Sequence, residues 1–343
     1  MPAFDAKGRP AEVMRFEPSS GVPIYLLPIE TFPGHVNNVY LLLADGEETL
    51  VDVGSQLPST AAGLDARFEE LRERFGESVT IDDVRRVVIT HAHIDHFGNV
   101  HRFADRGVEV CVHELDARVL ENFEERIILA AKDVGVFLRR AGVPGPLRAE
   151  LTTMYMASKE VFRSVGVGRR LRHGDALPGE LVVHHAPGHC PGLVCVQVGD
   201  VLLTSDHLLA RITPNQSPES ITPFTGLENY LRSLEKVAKL PDVRLALGGH
   251  EAPIDDPVGR ITETMHHHRR RLDRVLEVCR DRPQTLAEVS DALFGDQQGY
   301  GKLLAYSEAG AHVEYLHLHG ALGIANLEDV RTSDAPVYRY RTR

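Results

Sequence analysis

Residues 84–96 read VRRVVITHAHIDH. The first seven, Val84 to Thr90, form an apolar run with the length and β-branched content of a buried strand. The six that follow, His91, Ala92, His93, Ile94, Asp95 and His96, hold three imidazoles and a carboxylate. On a regular strand or helix those side chains would point in different directions. A tight loop at the strand's end brings them to one point. Imidazole nitrogen together with carboxylate oxygen suits zinc, and also iron or manganese. The plain alternative is a polar loop that is rich in histidine by accident. It must then place four ligand-type residues at the end of a buried strand with no polar position wasted.

Upstream, Val22–Pro28 and Val36–Leu43 read as strands around a turn at Pro33-Gly34. Thr49–Val53 is a third strand that runs into Asp52-Val53-Gly54. Asp52 is a turn residue or an outer partner that fixes the tautomer of a ligand histidine. Thr60–Phe75 has the period of an exposed amphipathic helix. Downstream, a helix from near Gly98 and a strand at Val108–Val112 continue the alternation of a layered α/β arrangement. From Leu115 to about Gly168 the pattern is helical, with a break at 142–146. This insertion either walls a substrate pocket or packs as an ordinary helical hairpin.

Strand Leu181–His185 leads into Ala186-Pro187-Gly188-His189-Cys190-Pro191-Gly192. Two Pro-Gly pairs make that loop rigid and present His189. Cys190 reads as a packed loop residue. Val194–Val198 and Val201–Thr204 form a hairpin whose second strand ends in Ser205-Asp206-His207. Arg244–Leu247 is a further strand, followed by Gly248-Gly249-His250. Histidine or aspartate thus stands in the loop after each of four strands, where rigid scaffolds carry chemistry.

At 343 residues the chain is comfortable for two domains. A net charge of −11 argues against a protein that coats nucleic acid. Cys111, Cys190, Cys195 and Cys279 form no CxxC and no secreted-type framework, so they read as reduced thiols of a cytoplasmic protein. The first residues lack an apolar signal core, and no apolar run is long enough to span a bilayer. Eighteen histidines exceed what packing needs. His266-His267-His268 cannot chelate together, because successive helix residues diverge.

The ordered set HxHxDH at 91–96, His189, Asp206 and His250, with Asp52 before it, resembles the metallo-β-lactamase superfamily over roughly residues 22–255. The resemblance implies an α+β fold, an αββα sandwich of two mixed sheets with helices outside and metals at one edge. It implies two divalent ions, zinc first with iron or manganese as alternatives. His91, His93 and His189 would bind the first ion; Asp95, His96 and His250 the second; Asp206 would bridge them. True zinc β-lactamases typically place cysteine where Asp206 stands, so antibiotic hydrolysis is not expected. The flavo-diiron branch has a glutamate where His93 stands. The loop 186–193 resembles the glyoxalase II-like and β-lactamase-like protein 2 branch, although Leu193 stands where that branch often has a second histidine.

After 257 the pattern is a long Arg-rich helix (Pro257–Asp281), a Thr-capped helix (Thr285–Phe294), a third helix (Glu308–Gly320) and two β-like pieces (Gly323–Val330, Val337–Arg341). This resembles the small winged-helix domain appended to the same branch. The expected division is therefore a catalytic domain at 1–257, with the insertion at about 115–168, and a winged-helix domain at 258–343. That domain is expected to border the active-site entrance rather than to bind DNA. The function implied is a dinuclear hydrolase in which metal-activated hydroxide attacks a small ester or thioester, with Asp95 relaying a proton to the leaving group. Its partner is a small substrate, anionic if Arg269, Arg270, Arg271 and Arg274 steer it, and a homodimer is compatible with the reading. The alternatives are an endoribonuclease on single-stranded RNA, an iron-dependent sulfur dioxygenase and a non-catalytic DNA-binding regulator.

Overall fold

A computed structural model describes residues 4–44, 46–159 and 162–343. They fall into two compact units. The first comprises Met1–Phe123, Val161–Pro214 and Ser233–Ile261, and the second Glu124–Glu160, Asn215–Arg232 and Thr262–Arg343.

The first unit is built on two sheets. One runs β1 (Met14–Phe16), β2 (Ile24–Phe32), β3 (His35–Leu42), β4 (Thr49–Val51), β5 (Arg86–Ile89), β6 (Glu109–His113) and β7 (Arg169–Leu171), in that order across the sheet. Pairing is antiparallel as far as β4 and parallel from β4 to β7. The buried apolar residues Val87, Val88 and Ile89 of β5 are what a strand between two parallel neighbours requires. The only ionic group in β5, Arg86, is neutralised by Glu109 and Glu47. The other sheet has the order β12 (Leu245–Gly248), β11 (Val201–Ser205), β10 (Val194–Val198), β9 (Leu181–His185), β8 (Ala176–Leu177). Only its β11–β12 pair is parallel.

Leu26, Val51, Val88 and Cys111 from the first sheet share one buried core with Val183, Val196, Leu203 and Leu247 from the second. Face-to-face burial of alternate side chains joins the sheets into a sandwich. Each fully buried Val or Leu contributes about 1.5–3 kcal/mol to holding them. The strand directions then place the chemistry. β4, β5 and β6 point one way, so the loops that follow them share an edge. β9, β11 and β12 are likewise codirectional, and their trailing loops carry His189, Asp206 and His250.

Strand boundaries agree with the sequence reading to within a few residues. The helix expected from Gly98 starts earlier, inside the motif: Ile94–Phe97 is a single turn, and His101–Ala104 follows it.

The second unit contains the helices Phe123–Arg140 (from Glu124), Gly145–Ala157, Pro257–Val278 (from Thr262), Leu286–Phe294, Gly299–Leu318 and Leu327–Thr332. It also holds a small antiparallel sheet, β13 (Gln284–Thr285), β15 (Arg339–Thr342), β14 (Leu322–Ile324), in that order. From Glu124 to Glu160 the insertion therefore belongs with the C-terminal residues, while its two ends stay with the sandwich. Val134, Leu138 and Leu151 share a core with Leu286, Leu303, Tyr306 and Ala309, and that burial is the reason. The expected cap at Thr285 is present as a reciprocal box: Thr285 Oγ1 accepts from Glu288 N (3.2 Å), and Glu288 Oε2 accepts from Thr285 N (2.7 Å). The helix expected from Glu308 begins at Gly299. Of the β-like piece 323–330 only the start is strand. Residues 327–332 are helical, with Glu328 and Asp329 in the first turn, where the helix dipole favours acids. Among the described residues no helix is long and apolar enough to cross a membrane.

Candidate metal centre

All seven residues expected at the metal site converge at the shared edge of the sandwich. Their contacts form two donor sets that adjoin at His91, His96 and Asp206, whose ligand atoms lie within 4.8 Å of one another. In the first set His91 Nε2 and His189 Nε2 each lie 3.0 Å from His93 Nδ1, and His189 Nε2 lies 3.6 Å from Asp206 Oδ2. In the second, His96 Nε2 is 3.6 Å from both Asp95 Oδ2 and Asp206 Oδ1. His250 Nε2 is 3.6 Å from the same Asp95 oxygen and 3.4 Å from the same Asp206 oxygen. Zinc bonds of about 2.0–2.2 Å in a tetrahedron require donors about 3.3–3.6 Å apart. The four distances of the second set meet that requirement. Asp206 turns one oxygen to each set.

Outer partners fix the imidazoles. His96 Nδ1 lies 2.8 Å from Asp52 Oδ2, and His250 Nδ1 lies 2.9 Å from the Val36 carbonyl. Nδ1 of each ring is thereby engaged outside the centre, which leaves Nε2 facing it. Asp52 also accepts from Thr90 N and Oγ1 (both 2.8 Å at the shorter contact), and Thr90 Oγ1 lies 2.7 Å from Ser205 Oγ. Asp52 is therefore more than a turn residue. It and Ser205 hold φ of 62° and 47°, values that non-glycine residues seldom adopt and that collect at functional sites. The His189 loop is pinned by His185 Nε2 to the Pro191 carbonyl (2.8 Å) and by Ser233 Oγ to the Pro187 carbonyl (2.7 Å). Gly249 is dictated by proximity: a Cβ there would lie 2.6 Å from Asp206 Oδ1 and 2.8 Å from His96 Cε1.

The electrostatics are those of a place prepared for cations. Burial opposes ionisation of Asp95, yet His96, the His35 hydrogen bond and His250 hold its carboxyl well below the usual range. Asp206 is likewise held well below it, by His250 and His96 against burial. His96, despite burial, is pushed well above the ordinary imidazole value by Asp95, Asp52 and Asp206. His91 is driven well below that value by burial and by His96 and His93.

The sequence reading missed four participants. His35 Nε2 lies 3.1 Å from Asp95 Oδ2, and its ring centroid is 4.6 Å from that of His250. Asn37 Nδ2 donates to the Asp95 carbonyl and Oδ2, both at 3.1 Å. Both stand in a strand, where their alternation looks like ordinary strand chemistry. Cys190 is buried as expected, but its Sγ sits 3.3 Å from His93 Nε2. Asp116, near the start of the helix Glu114–Glu121, accepts from backbone amides of two metal loops. The Cys-Pro-Gly setting of Cys190 was a usable signal; an acid in a helix's first turn is too common to be one.

A second cluster of the same residue types lies in the other unit. His268, Glu308 and His312 are buried together, with His268 Nδ1 3.1 Å from His312 Nε2 and His312 Nδ1 donating to the Glu308 carbonyl at 2.7 Å. The three do not chelate together: His268 Nδ1 pairs with His312 on another helix, and its ring meets His267 only edge to face, at 5.5 Å between centroids.

Comparison with known proteins agrees with this geometry. The family model described as metallo-beta-lactamase superfamily matches residues 33–250. A Bacillus subtilis protein named probable metallo-hydrolase YqjP is 26% identical over 304 residues, 84% of this chain and 91% of that one. The human acyl-coenzyme A thioesterase MBLAC2 is 27% identical over 236 residues, covering 63% and 74%. The crystal structure of the metallo-beta-lactamase family protein TTHA1429 from Thermus thermophilus superposes with a TM-score of 0.74 at 30% identity, over 93% of this chain and 98% of that one. The sandwich, the ordered donors at its edge and these likenesses agree: the chain belongs to the metallo-β-lactamase superfamily of metal-dependent hydrolases.

Proposed function

We propose that the centre holds two divalent ions, zinc in the first instance, and hydrolyses a small ester or thioester. The observation that carries the reading is Asp206, whose two oxygens face two separate donor sets, each completed by imidazoles. Bound there, a pair of divalent ions supplies Lewis acidity and a water nucleophile available at neutral pH. The chain's own residues do the rest. Asp206 fixes the spacing of the two sets. Asp52 and the Val36 carbonyl hold His96 and His250 in the donor tautomer. Asp95 Oδ2, reached by His35 and Asn37, is placed to pass a proton to the leaving group. His35 is half exposed and links that carboxylate to solvent.

A thioester is favoured because two relatives, bovine and human MBLAC2, are named acyl-coenzyme A thioesterases. The RNA reading draws less support. Of its arginines, Arg271 is paired with Glu308 and Arg274 with Glu277. We read the C-terminal helices with the sheet β13-β15-β14 as a winged helix in a non-DNA role. The test is turnover of a panel of acyl thioesters, esters, lactones and single-stranded RNA by zinc-, iron- and manganese-loaded protein. The expected result is zinc-supported thioester or ester cleavage. Cleavage of RNA alone, or oxygen consumption by the iron form alone, contradicts it.

A further inference from the structure

We propose that Asp116 is the positioning residue that locks together the two loops of the first donor set and thereby sets the affinity of the first metal. This rests on the dinuclear reading above. Asp116 lies just past β6, 1% exposed. Its Oδ2 accepts from the amide of Ala92 and its Oδ1 from the amide of Gly192, both at 2.9 Å. Ala92 stands between His91 and His93; Gly192 stands three residues after His189. One carboxylate thus ties a loop of the first sheet to a loop of the second.

The contact is tight from both sides. A Cβ on Gly192 would lie 2.6 Å from Asp116 Cγ, so the loop's backbone rests directly on the carboxylate. The arrangement is costly, since burial outweighs the two amides and pushes the Asp116 carboxyl up to about 6. A buried acid satisfied by amides rather than by a cation is retained for geometry. His93 Nδ1 and His189 Nε2 come from the two tied loops and meet at 3.0 Å. A small relative shift of the loops opens that pair. The second set is anchored elsewhere, His96 on Asp52 and His250 on the Val36 carbonyl, so it does not depend on this tie.

The experiment titrates the full-length apo-protein with zinc against a chromophoric chelator. It uses wild type, Asp116→Asn, Asp116→Ala and Gly192→Ala, with His93→Ala and His250→Ala to assign the two steps. Thermal unfolding of each apo form runs alongside. Wild type should bind two zinc ions in two steps. Asp116→Ala should weaken the first-set step about 10- to 100-fold, the scale of losing an outer-shell partner. The second step should stay in place. Asp116→Asn, which keeps one carbonyl acceptor, should fall between. Gly192→Ala should reproduce the selective loss from the opposite side, and it carries the test with Asp116→Asn if Asp116→Ala does not fold. Two zinc ions bound by Asp116→Ala with unchanged affinity overturn the tie and leave the dinuclear reading standing. Equal weakening of both steps also overturns it, showing general damage. Fewer than two zinc ions in wild type overturns both.

Discussion

The sandwich edge and the second unit each bury a group of histidines with acids, and the two groups have opposite characters. At the edge, Asp95 and Asp206 are faced by imidazoles and an amide, and their charge has no guanidinium or ammonium among the described partners. In the second unit Glu308 is met by the Arg271 guanidinium and by the amide of Gln216 at 2.6 Å. Burial drives His268 to about 2 and His312 to about 3, so both stay neutral. Two neutral imidazoles and a compensated acid give a divalent ion nothing to neutralise. The excess of carboxylate over cation, more than the count of histidines, separates a metal centre from a polar core.

That contrast can be broken most forcefully at Asp206. Replacing it with alanine should lower kcat/KM by more than about a thousandfold, roughly 4 kcal/mol of barrier, while the apo-protein's unfolding changes little. Steady-state turnover read beside thermal unfolding decides it; retained turnover means the acid does not hold the centre. At the closed cluster the effects should reverse. Glu308→Ala strands Arg271 in a buried site and should cost about 3 kcal/mol of stability by denaturant unfolding, with zinc content unchanged. A loss of zinc in that variant would mean the second cluster is a metal site after all.

A smaller effect is expected at the outer partner of the edge cluster. Asp52→Asn removes the charged acceptor of His96 and should weaken zinc binding at the second donor set about 10- to 100-fold. Unaltered zinc affinity would reduce Asp52 to a turn residue. The closed cluster also predicts a pH slope. His268 and His312 titrate near the ordinary value when unfolded but far below it when folded, so the unfolded chain binds more protons between those values. Their contribution is complete above about pH 6.5 and is lost as pH falls toward 3. Unfolding free energy measured from pH 7 to pH 4 should therefore decline. The His268→Leu, His312→Leu double variant should flatten that slope by about two protons.

Much of the edge was legible because its signals are local. Six adjacent residues, two Pro-Gly pairs and the Gly-Gly before His250 announce loops at strand ends, and a parallel sheet turns those ends to one side. His35, Asn37 and Asp116 were hidden because their roles depend on which strands lie side by side, which single-chain periodicity does not encode. The insertion was legible as helices but not in its allegiance. The apolar faces of Phe123–Arg140 and Gly145–Ala157 do not specify whether a sheet or another helix covers them, and Leu303 and Tyr306 do so. Likewise residues 327–330 read as extended, whereas Glu328 and Asp329 stand in the first turn of the helix Leu327–Thr332.

The central claim is that the edge cluster takes two ions and the other cluster none. Anomalous diffraction at the zinc absorption edge, from crystals of protein purified without chelator, tests it most directly. Two peaks are predicted, one among His91, His93, His189 and Asp206, the other among Asp95, His96, His250 and Asp206. No peak is predicted at His268, Glu308 and His312. A single peak at the edge, none there, or a peak at the second cluster would contradict the account.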